Sequence, residues 1–516
     1  MIYDILYPYQ QEAADGIITG RRKAIFDDPG LGKTLTVLGA LQKGRLFENG
    51  AKTLVLATRT GAALTWLPHA DKYVPEDVLV VDAVRKSIAA RRAFTGAALR
   101  ADAPALVIAN HDFIALGPND REWKNDPIWK TEWDAIIVDE SQRVLPTKAQ
   151  HDLALTRFWR GLYRLPTHPM TMRVPMSGTP DRGKMENRYG TWMFVLPEVY
   201  SFEHQTYEQW LYRNFRLEFK KDYIRVRGRA MQVLTPVVKG LKDEHAWHSL
   251  DDKIVIRRTK AEVAPQLPPK RYVDIELPFT LKQERAYLAY LDEFHDDGTT
   301  QAAGAFTIRA TQFAITEFDI KPGPNGTTVG TPVRGAESPK RDWIIEWLEE
   351  RGYDLVGEFA TPHGKVVITS QFKTVLKWLA AELIELGYDP VMLTGDMTTE
   401  QRLESQTLFQ APNSGRDIML LSMTLGDSID LDAADDMIFI DRVHDPDRVT
   451  QAEDRVHRVS RNHNVVIWRL ITVGSVDEAI DITNERRFNT TREHMDGRRG
   501  VDFARKVLAR FVAGKE

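Results

Sequence analysis

The chain of 516 residues contains no cysteine, which removes disulfides, thiolate zinc sites and cysteine nucleophiles together. No apolar run approaches the roughly 20 residues needed to cross a bilayer. The opening MIYDILYPYQQEAAD lacks the basic-then-apolar order of a signal peptide. A large charge of one sign is also absent: 69 Lys and Arg against 73 Asp and Glu leave a net charge of -4. That excludes a polybasic arm but not a locally basic cleft. There is no short-period repeat and no low-complexity tail. What remains is an ordinary composition, 43% hydrophobic and 28% charged, and the expectation of a soluble, intracellular protein without membrane contact.

What is present is a rhythm. Short apolar, β-branched runs recur with helix-forming stretches between them. The first series is Ala24-Ile25-Phe26, Leu54-Val55-Leu56-Ala57, Leu106-Val107-Ile108-Ala109, Ala135-Ile136-Ile137-Val138 and Val174-Pro175-Met176. The second is Val366-Val367-Ile368, Val391-Met392-Leu393, Ile418-Met419-Leu420-Leu421, Met437-Ile438-Phe439-Ile440 and Val465-Val466-Ile467-Trp468. Continuous rather than alternating runs suit parallel strands covered on both faces. Strand, helix, strand order winds them into open, right-handed sheets. The expectation is two α/β domains, residues 1–270 and 346–490. A helical insertion is expected at about 181–255, and a second helical insertion with a linker at 271–345. The latter includes KPGPNGTTVGTPVRG, Lys321 to Gly335, read as an exposed loop. Residues 491–516 are expected to form a C-terminal helical brace.

DDPGLGKT, Asp27 to Thr34, follows the first apolar run and opens a helix. Gly30 and Gly32 can take backbone angles that wrap N–H groups around a phosphate, and the helix start adds its positive dipole end. Lys33 would reach the β- and γ-phosphates of a nucleotide, and Thr34 would ligate Mg2+. A plain turn with a solvated lysine is the competing reading. AIIVDESQ, Ala135 to Gln142, ends a buried strand on two carboxylates, where ligands of open α/β sheets sit. Asp139 would hold the metal, and Glu140 would orient and deprotonate the attacking water; taken alone, the pair reads equally well as a solvated turn.

These stretches resemble the Swi/Snf-type ATPases of helicase superfamily two. That family's first loop reads D-E-x-G-L-G-K-T, so Asp27 is a family mark and Asp28, Pro29, Gly30, Leu31, Gly32, Lys33 and Thr34 become the ATP-binding loop. The second motif, usually D-E-A-H or D-E-S-H, is here Asp139-Glu140-Ser141-Gln142, with both carboxylates intact. LYPYQQEA is similar to the adenine-reading motif, which makes Gln10 the adenine contact. LVLATRTGAALTW, LVIANHDFI, GKVVITSQF and LLSMTLGDSIDLDAADDMIFID resemble motifs Ia, Ib, IV and V, the last one residue short and without its paired glycines. IVIRRTKAEVAPQLPPK, Ile254 to Lys270, is the most specific match. QAEDRVHRVSRNHNVVIWRLIT resembles motif VI and places Arg455 and Arg458, three apart on one helix face, as arginine fingers with Gln451 nearby.

The resemblance implies two RecA-like domains, doubly wound parallel sheets with helical insertions, and a DNA-dependent ATPase that uses ATP and Mg2+. It places the phosphate loop in the first domain and the fingers in the second, so hydrolysis requires closure. It implies duplex or branched DNA as a sequence-independent partner, gripped by Arg59, Asn110, Ser370, Gln371 and Thr424. Routine capping duty is the alternative for these residues. Lys220, Lys221, Arg225, Arg227 and Arg229 form a basic cluster that suits either duplex phosphates or a solvated hairpin. Trp66 and Trp210 read as core rather than stacking residues. His111 and His457 have no metal-ligand spacing. The preferred activity is ATP-driven translocation on duplex DNA. The alternatives are a strand-separating helicase at forks and a weakly catalytic, ATP-switched DNA clamp. No wedge able to split base pairs is identifiable, which favours the translocase. No bromo-, chromo- or zinc-finger-like segment is visible. The expected setting is a monomer in the cytoplasm, associated with the nucleoid of a bacterial or virus-infected cell.

Overall fold

The computed structural model describes residues 1–84, 88–115, 127–145, 153–178, 180, 185–199, 207–226, 229–264, 267–293, 300–322, 328–353, 364–412, 414–423, 425, 429–443, 446–458 and 464–481. By compactness the chain divides into two units, the first built mainly of residues 1–265 and the second beginning at residue 266.

In the first unit, strands β1 (Ala24–Ile25), β2 (Lys52–Ala57), β3 (Leu79–Asp82), β4 (Ala105–Asn110), β5 (Trp133–Val138) and β6 (Thr167–Pro175) are parallel. Five form one sheet in the order β3-β4-β2-β5-β6. β7 (Phe215–Val226) and β8 (Arg229–Leu241) form a separate antiparallel hairpin, and β9 (Val255–Ile256) pairs in parallel with β1. Parallel bridges Arg22 to Arg173 and Ile25 to Met176 set β1 alongside β6.

The continuous apolar runs are explained by burial on both faces. Leu54 and Leu56 enter one core with Val107, Ile136 and Val138. Their neighbours Val55 and Ala57 enter the other with Leu106, Ile108 and Ile137. Side chains alternate between the two faces of a strand, so only an all-apolar run satisfies both cores. Truncating Ile137 to alanine would cost about 2–5 kcal/mol.

The second unit repeats the plan. Strands β10 (Arg271–Leu277), β11 (Phe318–Pro322), β12 (Thr328–Pro332), β13 (Lys365–Ser370), β14 (Val391–Leu393), β15 (Ile418–Ser422), β16 (Ala434–Phe439) and β17 (Val466–Thr472) follow in order. Six of them form a parallel sheet, β10-β17-β16-β13-β15-β14, and β11 and β12 form a hairpin. Both units are RecA-like α/β layers, with the chain leaving each strand at the same end of its sheet. Among the described residues no helix is long and apolar enough to cross a membrane.

Two stretches differ from expectation. Residues 181–255 hold helices Arg188–Val195, Tyr207–Asn214 and Glu244–Ile254, but also the β7–β8 hairpin. The ribbon is buried at its base, at Phe215 and Leu241, and carries Lys220 and Lys221 exposed beyond it, so it has no continuous apolar run and is silent in the pattern that reveals sheet strands. Residues 271–345, expected as helical insertion and linker, open with β10, an edge strand of the second sheet. Its RYVDIEL alternates exposed and half-buried positions. The Gly- and Pro-dense stretch is framed by β11 and β12. The expected C-terminal brace, 491–516, lies outside the described residues.

The base of the β7–β8 hairpin is rigid. Trp192, Trp210, Phe215 and Trp247 form a box with ring centroids 4.7 to 5.8 Å apart. The Trp192 indole and the Arg188 guanidinium both donate to Asp251. Arg188 also lies 4.9 Å above the ring of Phe26. The box is thereby joined to the residue just ahead of Asp27.

Candidate nucleotide and nucleic-acid site

β1 is two residues long and fully buried, and Phe26 continues it into Asp27. Gly30 (φ 86°) and Gly32 (φ 74°) take left-handed angles, and helix Lys33–Lys43 starts immediately after. The loop is braced from beneath. Gln10, 4% exposed, donates from Nε2 to the Leu31 carbonyl at 3.0 Å and accepts from the Tyr7 amide at 3.0 Å. The Tyr9 hydroxyl donates to the same Leu31 carbonyl at 3.1 Å. A Cβ on residue 32 would stand 2.4 Å from the Gln10 amide nitrogen, so glycine is required there by space as well as by angle. Gln10, expected at adenine, therefore holds the loop itself. Lys33 donates to the carbonyls of Asp27 (2.7 Å) and Asp28 (3.2 Å).

The segment after β9 runs along the loop. The amides of Phe26 and Asp28 donate to the carbonyls of Ile256 and Arg258, and the Lys260 amide donates to the Asp28 carboxylate at 3.0 Å. Arg258 pairs with Glu12 at 3.0 Å and lies 4.0 Å from Asp27. The most specific phrase of the sequence thus begins as a rail for the phosphate loop. Asp27 is 1% exposed, and burial pushes its carboxyl up to about 6 against the pull of Lys33 and Arg258. Its Oδ1 is buried with no hydrogen-bond partner among the described residues.

Asp139 and Glu140 follow β5. The fully buried Trp66 donates its indole N–H to Asp139 Oδ2 at 2.9 Å, and the Glu140 amide donates to Oδ1 at 2.9 Å. His111 Nε2 lies 2.9 Å from the Asp139 carbonyl. Burial holds that imidazole down at about 4, so it is neutral and donates its proton to the carbonyl. Glu140 adopts a left-handed backbone (φ 49°), which turns its half-buried side chain out of line with the strand; such strain costs about 1–3 kcal/mol and is typical of working sites. Gln142 donates to Glu140 Oε2 at 2.5 Å. The residue that replaces the family's histidine therefore grips the carboxylate of Glu140. Tyr9, Trp66 and Arg258 stand within stretches that carry the resemblance, but the sequence gives them no role in the site, because each acts across a long chain separation.

Among the described residues no three His, Cys, Asp or Glu side chains form a metal cage. Mg2+ needs none. It keeps waters and binds one or two protein oxygens together with substrate phosphates. Thr34 is half-buried and its hydroxyl, like the carboxylate of Asp139, is an oxygen donor of the kind such a hard cation takes.

In the second unit, helix Pro446–Val456 carries Gln451 and Arg455. Arg455 is 4% exposed and donates to the Leu425 carbonyl at 2.8 Å. Arg458 lies beyond the end of the helix, half-buried, and pairs with Asp430. The two arginines do not share a helix face, as their spacing suggests. The helix stops at Val456, and His457 is tied to the Pro268 carbonyl at 2.8 Å. Lys270, the last residue of the specific phrase, pairs with Glu453 (2.9 Å) and Asp454 (3.0 Å) on this helix. Burial alone would lower its ammonium, but the two carboxylates outweigh burial and hold it above its ordinary value.

The expected nucleic-acid residues divide. Arg59 is exposed after β2, where Thr58 caps the next turn through Gly61 at 3.0 Å. Gln371 is half-buried; its amide donates to Asp441 at 3.3 Å and its side chain to the Arg442 carbonyl. Asn110 is 3% exposed and donates to Asp112 at 3.1 Å, while Ser370 is fully buried and accepts from the Phe372 amide at 3.0 Å. Their side chains cap local turns, which corrects the expectation that they face a phosphate. Thr424 lies outside the described residues. Trp66 and Trp210 are buried core residues.

A phosphate loop, an acidic strand end and an arginine helix on two parallel-sheet units define a helicase-type ATPase. A model described as SNF2-related domain matches residues 9–318, and one described as helicase conserved C-terminal domain matches residues 349–460. The chain belongs to the SNF2-related family. It is 24% identical over 495 residues to the Saccharomyces cerevisiae ISWI chromatin-remodeling complex ATPase ISW1, covering 92% of this chain and 39% of that protein. It is 24% identical over 466 residues to the Homo sapiens SWI/SNF-related matrix-associated actin-dependent regulator of chromatin subfamily A member 1, covering 88% and 40%. The chain thus spans about two fifths of the length of these relatives. A solved Sulfolobus solfataricus SWI2/SNF2 ATPase core in complex with dsDNA is 19% identical, with 95% of this chain and 93% of that chain covered and a TM-score of 0.39. The expected bacterial or viral cytoplasmic setting is overturned by the relatives. They are eukaryotic chromatin-remodelling ATPases, and one of the yeast proteins is named a nuclear protein.

Proposed function

We propose that this core couples ATP hydrolysis to movement along duplex or branched DNA, independent of sequence. The observation that carries this is the division of labour in the chain. The phosphate loop and the Asp139–Glu140 pair belong wholly to the first unit, whereas Gln451, Arg455 and Arg458 belong to the second. A reaction that needs both sets couples turnover to closure.

In this reading the amides around Gly30 and Gly32 and the Lys33 ammonium hold the β- and γ-phosphates. Thr34 and Asp139 hold Mg2+, which neutralises charge on those phosphates. Glu140 accepts a proton from the water that attacks the γ-phosphorus, and the bond from that phosphorus to the ADP oxygen breaks. Arg455, assisted by Arg458 and Gln451, spreads the charge that develops on the transferred group. Exposed Arg59 and half-buried Gln371 contact the DNA backbone. Intact Lys33, Asp139, Glu140 and Arg455 argue against a clamp that merely binds ATP. One observation supports strand separation as a second reading: the β7–β8 hairpin is a long two-stranded ribbon, the shape a pin requires.

The test is ATP turnover with single-stranded DNA, blunt duplex, forks and RNA side by side, with Lys33→Ala as the inactive control. Duplex should stimulate turnover, more so as it lengthens, and a third strand should be displaced from a triplex. Unwinding of a tailed duplex without activation by blunt duplex would reject the translocase and favour the helicase.

A further inference from the structure

The β7–β8 hairpin is strongly basic. Residues 215–241 hold seven Lys and Arg but only two Asp and Glu, in a protein whose net charge is -4. Its twelve- and thirteen-residue strands pair with each other alone. An isolated two-stranded ribbon is marginal in water; this one is set in the tryptophan box at its base.

Register places Lys221 opposite Leu234 and Phe219 opposite Pro236 on one face, and Lys220 opposite Thr235 on the other. Phe219 is 44% exposed and Leu234 63% exposed. The exposed Tyr212 lies stacked beside Phe219, with centroids 6.2 Å apart and planes 27° apart. Lys220 and Lys221 are exposed.

A face that sets an aromatic ring, an aliphatic side chain and Lys221 together, with Lys220 on the opposite face, matches one kind of polyanion. Lysines alone would suit duplex phosphates, but a duplex offers no apolar surface to Phe219 and Leu234. Unpaired nucleotides offer both, a phosphate for each ammonium and a base face for each apolar group.

We infer that the hairpin binds unpaired nucleotides beside a DNA branch, with Phe219 and Leu234 against bases, Lys221 on the phosphate between them and Lys220, on the opposite face, on a flanking phosphate. This rests on the DNA-motor reading and adds the kind of DNA the motor prefers.

The test compares a fork carrying single-stranded arms with a blunt duplex of equal length, by equilibrium binding and by ATP turnover. The double variant Phe219→Ser with Leu234→Ser changes only exposed side chains. It should weaken fork binding roughly tenfold, as expected for loss of a base stack, and leave blunt duplex unaffected. Lys220→Ala with Lys221→Ala should weaken fork binding several-fold and reduce its salt dependence. Equal losses on fork and duplex would show a duplex grip and overturn the inference. Unchanged binding of both DNAs by both variants would overturn it too and assign the face to another occupant, such as a protein. A parent protein that binds forks through the hairpin but is not activated by any DNA would sink the motor reading while supporting this one.

Discussion

Asp27 in the first unit and Asp441 in the second are near-twins in position. Each follows a buried parallel strand, each is essentially inaccessible, and burial pushes each carboxyl up to about 6. Their surroundings differ. Asp441 lies among donors, with the Gln371 amide at 3.3 Å, the Ser370 hydroxyl, and the Lys340 charge nearby. Lys340 itself is buried against Asp477 at 2.6 Å and the Ile440 carbonyl at 2.8 Å. Asp27 keeps one buried oxygen without any such partner. A buried polar atom left unsatisfied costs about 1–3 kcal/mol, so it persists where something else uses it. The comparison separates a carboxylate that brackets a structure from one that belongs to a site, although their titration is alike.

The largest expected effect tests the site side of that comparison. Glu140→Gln should keep nucleotide affinity and lose turnover by a hundredfold or more, the usual worth of a general base. Nucleotide titration and steady-state hydrolysis check it, and hydrolysis at the parent rate would remove Glu140 from its role. Arg455→Lys should lower turnover by roughly ten- to a hundredfold with little change in ATP affinity, because a finger acts in the transition state. The conservative replacement keeps a cation near Leu425, and thermal melting verifies the fold.

The sharpest test of the twins comes next. Asp27→Asn should stabilise the nucleotide-free protein by about 2 kcal/mol at pH 7, since it removes a charge that costs about 3 kcal/mol to bury. Asp441→Asn should destabilise by about 1–2 kcal/mol, because it sets an amide donor among donors. Urea midpoints that shift in the same direction would erase the distinction. The pH dependence has a defined sign. A carboxyl raised in the folded state keeps its proton there after the unfolded chain has lost it. Stability should therefore fall as pH rises from about 4 to about 6, and the fall should shrink in Asp27→Asn. The smallest effect is on Gln142→Ala, which frees the Glu140 carboxylate from its 2.5 Å bond; turnover should drop a few-fold, in line with a lost hydrogen bond of about 1 kcal/mol.

Nine of the ten apolar runs contribute to strands of the two larger parallel sheets, and the tenth, Ala24-Ile25-Phe26, forms β1, which pairs with β9; burial on both faces leaves a signal in composition alone. β3 and β10 sit at sheet edges, where exposed positions dilute that signal. The β7–β8 ribbon is buried at its base and carries exposed lysines beyond it, so it offers no continuous apolar run. Local chemistry was legible as well, since the phosphate loop and the acidic strand end are short stretches whose residue types define them. What one residue does to another far along the chain was not. Trp66 reaches Asp139 across 73 positions and Gln10 reaches Leu31 across 21. The inward turn of Asn110 and Ser370 depends on turn geometry that polar residues at strand ends share whether they face a ligand or a neighbour.

In mechanical terms the β7–β8 ribbon is a cantilever, about 40 Å long at roughly 3.3 Å per residue. It is clamped at one end by the box of Trp192, Trp210, Phe215 and Trp247. A torque applied near the tip is borne at that clamp. From there the route runs through Trp192 and Arg188, which share Asp251, to the ring of Phe26. That guanidinium joint acts in parallel with helix Glu244–Ile254, which carries Trp247 and continues into β9 beside β1, so load on the ribbon is divided between two routes to the strand that carries the nucleotide loop.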